Sequence, residues 1–142
     1  MLRRKKTPAN IKTGDIFRFN REILEEEVAQ FARLTGDYNP LHMDESFSKK
    51  LPHKKRIVHG MLVASLASKL VGMELCCPGA LWVEQNLRFV SPVFIGDRLN
   101  FCAEVLQVSL ATESVRIRII IQKEDNQTVL EGEGVVVLTY GK

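Results

Sequence analysis

One apolar segment in the middle of the chain limits the folds that this sequence can adopt. The segment IVHGMLVASLAS, residues 57–68, contains no Asp, Glu, Lys or Arg. A helix that is apolar on nearly all sides belongs in the middle of a fold. The longer stretch to Met73 is interrupted by His59 and Lys69, and it is short for a membrane span, which needs about 20 apolar residues. The sequence therefore predicts a long buried central helix and no membrane span.

The second half of the chain changes to the alternating pattern of β-strands. In RLNFCAEVLQV and SVRIRIIIQ, apolar residues recur at every second position and polar residues lie between them. ALWVEQNLRFV and TVLEGEGVVVLTY are two further strand candidates, and EDNQ is the turn before the last strand. Four strands after one buried helix predict an α+β fold, in which an antiparallel sheet wraps around the helix.

The first part of the chain adds one strand and one helix. DIFRFNREI predicts a strand with Phe17 and Phe19 on one face. EEEVAQFARLTG predicts a helix, because glutamates occupy its first turn and Gly36 is a typical C-terminal cap. We expect residues 37–42 to form a bent loop, since Asn39 precedes a proline and is biased away from helical angles. DESF is a candidate for a short helical turn.

Length and charge indicate one domain with a basic tail. The chain has 142 residues, 45% of them hydrophobic and 26% charged, which suits one globular domain. Four of the 20 basic residues lie in RRKK near the N terminus. The rest of the chain has 16 basic and 17 acidic residues. We therefore expect a flexible tail over residues 1–12 and a folded domain over residues 13–142. The tail has no aromatic residues, so its charge does not indicate nucleic-acid binding.

Cysteine usage and the N-terminal segment suggest a cellular location. Cys76, Cys77 and Cys102 are odd in number and lack the spacing of metal ligands, which is typical of free thiols in a reducing compartment. No apolar segment follows the basic start, so we expect no signal peptide. These features predict a cytoplasmic protein, or one of the mitochondrial matrix if the source is eukaryotic.

The segment TGDYNPLHMDESF places an acid, Asp37, five residues before an imidazole, His42. By pattern alone such a pair is most often structural, with the aspartate capping a turn. A metal site is less attractive, because His53 and His59 show no helical ligand spacing with His42. A serine hydrolase is also weakly supported, since no GxSxG elbow is present.

A second segment, IVHGMLVAS, favours an active site. Gly60 at the head of a buried helix leaves its backbone N–H free and lets a ligand approach closely. An acid, an imidazole and a fixed N–H donor suit proton chemistry next to a carbonyl. His59, directly before Gly60, is a candidate either for lining the site or for fixing the loop that enters the helix.

Three segments together carry a family resemblance. FARLTGDYNPLHMDESF, IVHGMLVASLAS and FVSPVFIGDRL resemble the MaoC-like (R)-specific enoyl-CoA hydratases and 3-hydroxyacyl-thioester dehydratases over about residues 15–140. The resemblance implies a hot dog fold and a hydro-lyase that hydrates trans-2-enoyl thioesters to (3R)-hydroxyacyl thioesters, or runs the reverse dehydration. It implies a homodimer, an acyl-CoA or acyl-carrier-protein substrate, and neither a metal nor a redox cofactor. A hot dog acyl-CoA thioesterase and a non-catalytic acyl-binding or dimerisation module are the alternatives.

The resemblance also implies residue roles. Asp37 and His42 would hold the reacting water, with Asp37 as base and His42 as water ligand and proton donor, although the two roles could be exchanged. Gly60 would donate its N–H to the thioester carbonyl. The remaining implied roles are site support by Asn39, Pro40, His59 and Ser68, an acyl pocket at Val71, Gly72 and Leu75, and carrier-phosphate binding by Lys54, Lys55 and Arg56.

The basic loop KKLPHKKR, residues 49–56, departs from the relatives that it resembles. It is more basic than usual, and Arg56 stands where relatives often have proline. A solvated charge run and a binding site for the anionic carrier are equally good interpretations of this loop. Acyl chain length, the carrier and the physiological direction stay open.

Overall fold

The protein is built on one antiparallel sheet of six strands. The computed structural model describes residues 10–75 and 77–138. The strand order is β1-β4-β5-β6-β2, and β3 also pairs with β6. The strands are β1 Ile16–Glu22, β2 Ala80–Gln85, β3 Arg88–Phe89, β4 Arg98–Ser109, β5 Ser114–Lys123 and β6 Thr128–Leu138. The predicted α+β class and antiparallel sheet are confirmed, and the candidate strand ALWVEQNLRFV is divided into β2 and β3.

Short helices connect the strands. They are α1 Glu25–Thr35, α2 Pro40–Met43, α3 Glu45–Ser48 and α4 Gly60–Leu66, followed by a π-helical segment Leu70–Glu74. The Leu75 N–H donates to the Leu70 carbonyl at 2.8 Å, and this five-residue span is the hydrogen bond of a π-helix. None of the helices in the described part of the chain has the length and apolarity that crossing a membrane requires.

The central helix differs from the predicted one in continuity and in burial. It is interrupted at Ala67 and does not run as one long α-helix. Leu62, Val63 and Leu70 are buried against the sheet, whereas Met61 and Met73 are exposed on the opposite side. The sheet of one chain covers only one side of the helix, so the apolar sequence is not buried all round.

The two faces of the sheet have opposite character. The inner face carries the fully buried Phe101, Ile117 and Ile119, which form the core with the central helix. On the outer face, Arg118 lies 3.5 Å from Glu104 and 3.7 Å from Glu133. This alternation is the pattern expected of an antiparallel sheet with one face in water.

The packed domain begins earlier than the predicted boundary at residue 13. Ile11 is only 3% exposed and belongs to the core, so the flexible tail cannot extend to residue 12. Arg3, Arg4, Lys5 and Lys6 of the tail and Cys76 lie outside the described residues. Cys77 is buried and Cys102 is a half-buried free thiol, and the predicted compartment stays a prediction.

A two-residue segment, Ile57–Val58, joins the basic loop to the central helix. Ile57 forms an isolated antiparallel bridge with Phe94, and the Val58 N–H donates to the Val93 carbonyl at 2.7 Å. The Ile57 N–H donates to the Leu41 carbonyl at 3.1 Å. These contacts fix the start of α4 next to α2.

Candidate active site

Asp37 lies in a tight turn that begins where α1 ends. Gly36 adopts a left-handed φ of 79°, which ends the helix in the way the sequence predicts. The Asp37 Oδ1 accepts from the Asn39 N–H at 3.2 Å, and the Asn39 Oδ1 accepts from the Leu41 N–H at 3.0 Å. The predicted loop is shorter than expected, because this second bond caps the helical turn α2, which starts at Pro40.

His42 lies on α2, and its tautomer is set by a backbone carbonyl. Its Nδ1 is 2.6 Å from the Ile57 carbonyl oxygen, which can only accept, so Nδ1 carries the proton. The other ring nitrogen, Nε2, lies 3.9 Å from the Asp37 Oδ2. That distance is too long for a direct hydrogen bond and suits a water that bonds to both groups. The structure thus brings the two predicted catalytic side chains together.

His59 is a third member of the cluster. Its ring is 2% exposed and stacks on the His42 ring, with centroids 3.9 Å apart and planes inclined by 30°. Its Nε2 lies 3.0 Å from the Asp37 main-chain carbonyl, to which it donates. His59 does not line the adjacent cavity, so its position favours the second of its two predicted roles, fixing the chain around the site.

Asp37, His42 and His59 together form a set that could hold a metal, since their ligand atoms lie within 4.8 Å of one another. The sequence spacing did not reveal this set, because the fold brings His59 back to the turn. His59 approaches the Asp37 carboxylate with Nε2, at 4.0 Å, and that nitrogen already donates to the Asp37 carbonyl. A nitrogen that carries a proton cannot ligate a metal, so the hydrogen bonding favours acid–base chemistry over a metal centre.

An apolar cavity of about 520 Å³ begins at His42 and Gly60. Its volume lies in the range of small-molecule sites, which combine an apolar lining with few polar groups. The lining comes from α2, α4 and the strands β3 and β6. The lining residues besides His42 and Gly60 are Leu41, Ile57, Val58, Met61, Val63, Phe89, Val90, Ser91, Pro92, Val93, Val129 and Leu130.

Gly60 is the first residue of α4 and forms part of the cavity wall. Among the described residues none accepts a hydrogen bond from the Gly60 N–H. A Cβ at this position would lie 2.8 Å from the Phe89 ring, so the ring packs directly against the glycine. The site therefore combines a backbone donor, an imidazole and a nearby carboxylate at one end of an apolar space.

Four residues of the central helix that have predicted site roles lie away from this cavity. Val71 and Leu75 are buried in the core, whereas Gly72 and Ser68 are exposed, and none of the four lines the cavity. The acyl pocket was placed along the helix axis, but the open space lies across the helix start, toward β3 and β6. Val129 and Leu130 were missed because the alternating pattern of β6 marks a buried strand equally well without a cavity beside it.

The basic loop forms a second, smaller pocket of about 310 Å³. Lys49, Lys54 and Lys55 line it, and among the described residues none of the three has a carboxylate within ion-pair distance. Arg56 differs, because it is largely buried and lies 2.6 Å from Glu25. Arg56 therefore ties the loop to α1, and the lysines are the available cations.

Comparisons with known proteins show which family this chain resembles. A family model described as "MaoC like domain" matches residues 6–128. A 3-hydroxybutyryl-CoA dehydratase of Methylorubrum extorquens is 37% identical, covering 82% of this chain and 73% of the relative. A mitochondrial 3-hydroxyacyl-[acyl-carrier-protein] dehydratase of Arabidopsis thaliana is 31% identical, covering 90% of this chain and 78% of the relative. The solved structure of an (R)-hydratase from A. caviae superposes with a TM-score of 0.87 at 35% identity, covering 91% of this chain and 98% of that chain.

The hydrogen bonds predict opposite tautomers for the two stacked histidines. When both rings are neutral, His42 should carry its proton on Nδ1 and His59 on Nε2, because each donates to a main-chain carbonyl. Ring ¹⁵N chemical shifts of the labelled protein distinguish the two forms. The exposed His53 serves as the reference for a ring with mixed tautomers. The same tautomer in both rings would contradict the arrangement.

Proposed function

The chain belongs to the MaoC-like family, and we propose that it hydrates trans-2-enoyl thioesters to (3R)-hydroxyacyl thioesters, or catalyses the reverse dehydration. Relatives named as (R)-specific enoyl-CoA hydratase and as 3-hydroxybutyryl-CoA dehydratase support both directions. The observation that carries the proposal is the separation of 3.9 Å between Asp37 Oδ2 and His42 Nε2, at one end of an apolar cavity.

The proposed reaction uses one water between the two side chains. Asp37 Oδ2 takes a proton from the water as its oxygen bonds to C3, and protonated His42 gives the Nε2 proton to C2. A proton transfer from Asp37 to His42 through the next water restores the starting state. Because the water and the Nε2 proton of His42 would lie on the same side of the substrate, hydroxyl and proton reach the same face of the double bond. Positioned acid–base groups of this kind contribute about 10²–10⁴-fold each.

The thioester carbonyl is assigned to Gly60. Negative charge develops on the carbonyl oxygen as the water adds to C3, and a fixed N–H donor stabilises that charge more in the transition state than in the ground state. The Gly60 N–H is the candidate donor, since it has no described acceptor and its residue lines the cavity. The acyl chain then occupies the apolar part of the cavity. This chemistry uses neither a metal nor a redox cofactor.

A homodimer is part of the proposal. Strands β1 and β2 are the two edges of the sheet, and an exposed edge is a template for pairing with another chain. On β2, Leu81 and Val83 are exposed, and Met61 and Met73 are exposed on the central helix. Apolar side chains of this size on one edge and one helix face support a second copy of the chain as the partner that covers them.

The first prediction concerns the acid–base pair. Asp37→Asn and His42→Ala should each lower kcat by on the order of 10² or more, with the folded state retained. The double variant should lose much less than the product of the two, because the residues act on one water. The assay follows loss of the conjugated enoyl-thioester absorbance, with chiral identification of the product.

Matched controls for this pair are Asp44→Asn and His53→Ala, which change the same residue types outside the site. Both should keep turnover close to that of the wild type. Near-wild-type activity of either Asp37→Asn or His42→Ala would refute the mechanism. Release of free thiol without hydration would instead indicate the thioesterase, and binding without turnover would indicate the non-catalytic module.

The second prediction concerns acyl chain length. Val129 is buried and lines the cavity, so Val129→Phe should shorten it and shift kcat/KM toward four-carbon substrates. Each methylene that is excluded from the cavity forfeits about 0.8 kcal/mol of burial. Gly72→Leu is the control, because Gly72 is exposed, does not line the cavity, and a Cβ there meets nothing within 4 Å. If the chain-length profile changes in Gly72→Leu and not in Val129→Phe, the acyl chain binds at the pocket that the sequence predicted.

The third prediction concerns the anionic carrier. If the free lysines of the basic loop bind it, Lys54→Glu with Lys55→Glu should raise KM and leave kcat nearly unchanged, because this binding is equal in ground and transition states. The effect should weaken with salt, since the Debye length is about 10 Å at 0.1 M. Comparison of acyl-CoA with acyl-carrier-protein substrates then identifies the carrier.

Arg18→Glu with Arg116→Glu provides the matched control, since it makes the same change in net charge on the exposed outer face of the sheet. A defect confined to the protein-linked substrate would indicate a docking surface, and a defect with both substrates would indicate shared phosphate contacts. An unchanged KM with both substrates at low salt would identify the loop as a solvated charge run.

The fourth prediction concerns assembly. Leu81→Lys should weaken the dimer, because it places a charge on the exposed side of the β2 edge. Ile16→Lys is the matched control at the opposite edge, on β1. Light scattering at micromolar concentration measures the mass of each variant. A wild-type chain that is active as a stable monomer would refute the dimer, and dissociation by Ile16→Lys alone would move the interface to β1.

A further inference from the structure

We propose that His59 is a positioning residue that holds Asp37, His42 and Gly60 in one arrangement and takes no part in proton transfer itself. Its ring is buried between the two proposed catalytic side chains and a helix, and it contacts each of the three site residues in a different way. The inference rests on the proposed roles of Asp37 and His42.

The first contact fixes the Asp37 main chain. His59 Nε2 donates to the Asp37 carbonyl at 3.0 Å, directly after Gly36 with its left-handed φ of 79°. On the other side of the residue, the Asp37 N–H donates to Thr35 Oγ1 at 3.2 Å, so His59 holds one of the two hydrogen-bonded ends of this main chain. The carboxylate itself is 49% exposed, so little packing holds it. The separation of Asp37 Oδ2 from His42 Nε2 therefore depends on where the main chain is held. Misplacement by about 1 Å can cost on the order of 10²-fold in rate.

The second contact fixes the plane of the His42 ring. Its hydrogen bond to the Ile57 carbonyl restrains one nitrogen but leaves the ring free to rotate about that bond. The His59 ring, stacked at 3.9 Å, restrains this rotation. Phe31 of α1 packs against the other side of His59, with centroids 5.0 Å apart and planes inclined by 60°. Through the packing of these three rings, α1 helps to fix the orientation of the His42 ring.

The third contact is covalent, because His59 directly precedes Gly60 and is the residue at which α4 begins. Its main-chain carbonyl accepts from the Leu62 N–H at 3.0 Å. One residue therefore provides both the buried ring and the start of α4, next to the N–H assigned to the thioester carbonyl.

The remaining ring nitrogen explains why His59 positions and does not transfer protons. Its Nδ1 is buried and has no hydrogen-bond partner among the described residues. With Nε2 donating to a carbonyl, a second proton on Nδ1 would be a buried donor without an acceptor, and such groups are costly. The groups that face the ring are Asp37, His42 and Phe31, and none of them offers Nδ1 a hydrogen bond. His59 therefore acts as a hydrogen-bond donor through Nε2.

Three variants separate the contacts. His59→Gln keeps an N–H donor at a similar reach and loses the stacked ring. His59→Phe keeps a ring and loses the donor. We expect kcat to fall by about 10- to 100-fold in His59→Phe and by less in His59→Gln, with KM within about 2-fold of the wild type in both. His59→Asn, which is smaller and does not reach the Asp37 carbonyl, replaces His59→Phe where the latter does not fold.

A double-mutant cycle distinguishes positioning from general destabilisation. In an Asp37→Asn background, His59→Phe should reduce kcat by less than about 3-fold, because the residue through which it acts has already been removed. If the losses of kcat in His59→Phe and Asp37→Asn multiply fully in the double variant, the inference is overturned. Wild-type kcat in both His59→Phe and His59→Asn would also overturn it. A higher kcat in His59→Phe than in His59→Gln would assign the role of His59 to ring stacking. It would overturn the proposal that the hydrogen bond to the Asp37 carbonyl positions the site.

A spectroscopic measurement keeps this test independent of the proposed activity. The ring ¹⁵N signals of His42 should shift in His59→Phe while thermal unfolding shows an intact fold, because the restraint on the ring changes. If the wild-type chain has no hydratase activity, the proposed function is rejected, but the ¹⁵N measurement still tests the positioning role of His59. Unchanged His42 signals in a folded His59→Phe variant would reject the positioning role whatever the activity.

Discussion

The hydrogen bonds of Ile57 and Val58 are the constraint on which the rest of the site depends. In two residues the chain donates to the Leu41 carbonyl, donates to the Val93 carbonyl and accepts from His42 Nδ1. The segment therefore fixes the sheet, the helical turn that carries His42 and the start of α4 in one place. It also separates the apolar cavity from the basic pocket, since Ile57 and Val58 line the first and Phe94, across the bridge, lines the second.

The same constraint determines which protons the site can move. Because a main-chain carbonyl holds the Nδ1 proton of His42, only Nε2 is available to substrate or water. On the Asp37 carboxylate the Asn39 N–H occupies Oδ1, which leaves Oδ2 to face His42. Each side chain thus presents one atom to the proposed reacting water, and main-chain hydrogen bonds determine which atom that is in both cases. A stiff turn with proline is useful here, because it fixes the two atoms without contacts to the substrate.

Local signals predicted the parts of the fold that local physics determines. Gly36 ends α1, and alternation identified β4, β5 and β6, because each feature depends on a few neighbouring residues. The cluster of Asp37 and His42 was predictable for the same reason, since five residues separate them. His59 lies 22 positions after Asp37, and no periodicity in the sequence indicates that the chain returns to this point. The residues predicted for the acyl pocket lie away from the cavity for a related reason: burial of Val71 follows from its apolar side chain, but whether an apolar residue faces a cavity or the core depends on the shape of its neighbours.

The exposure of the two proposed catalytic side chains is unequal, and this asymmetry connects the chemistry to assembly. His42 is 12% exposed in its side chain and Asp37 is 49% exposed, so a single chain encloses the site from the cavity side only. Charges close together interact more strongly when water is excluded. Met61, which lines the cavity, is also exposed at the helix start, and Tyr38 is exposed next to Asp37. A second copy packed over these residues would cover both the apolar surface and the open carboxylate. Burial of the central helix and enclosure of Asp37 would then have one cause, and it explains why a helix with so apolar a sequence leaves one side uncovered in the single chain.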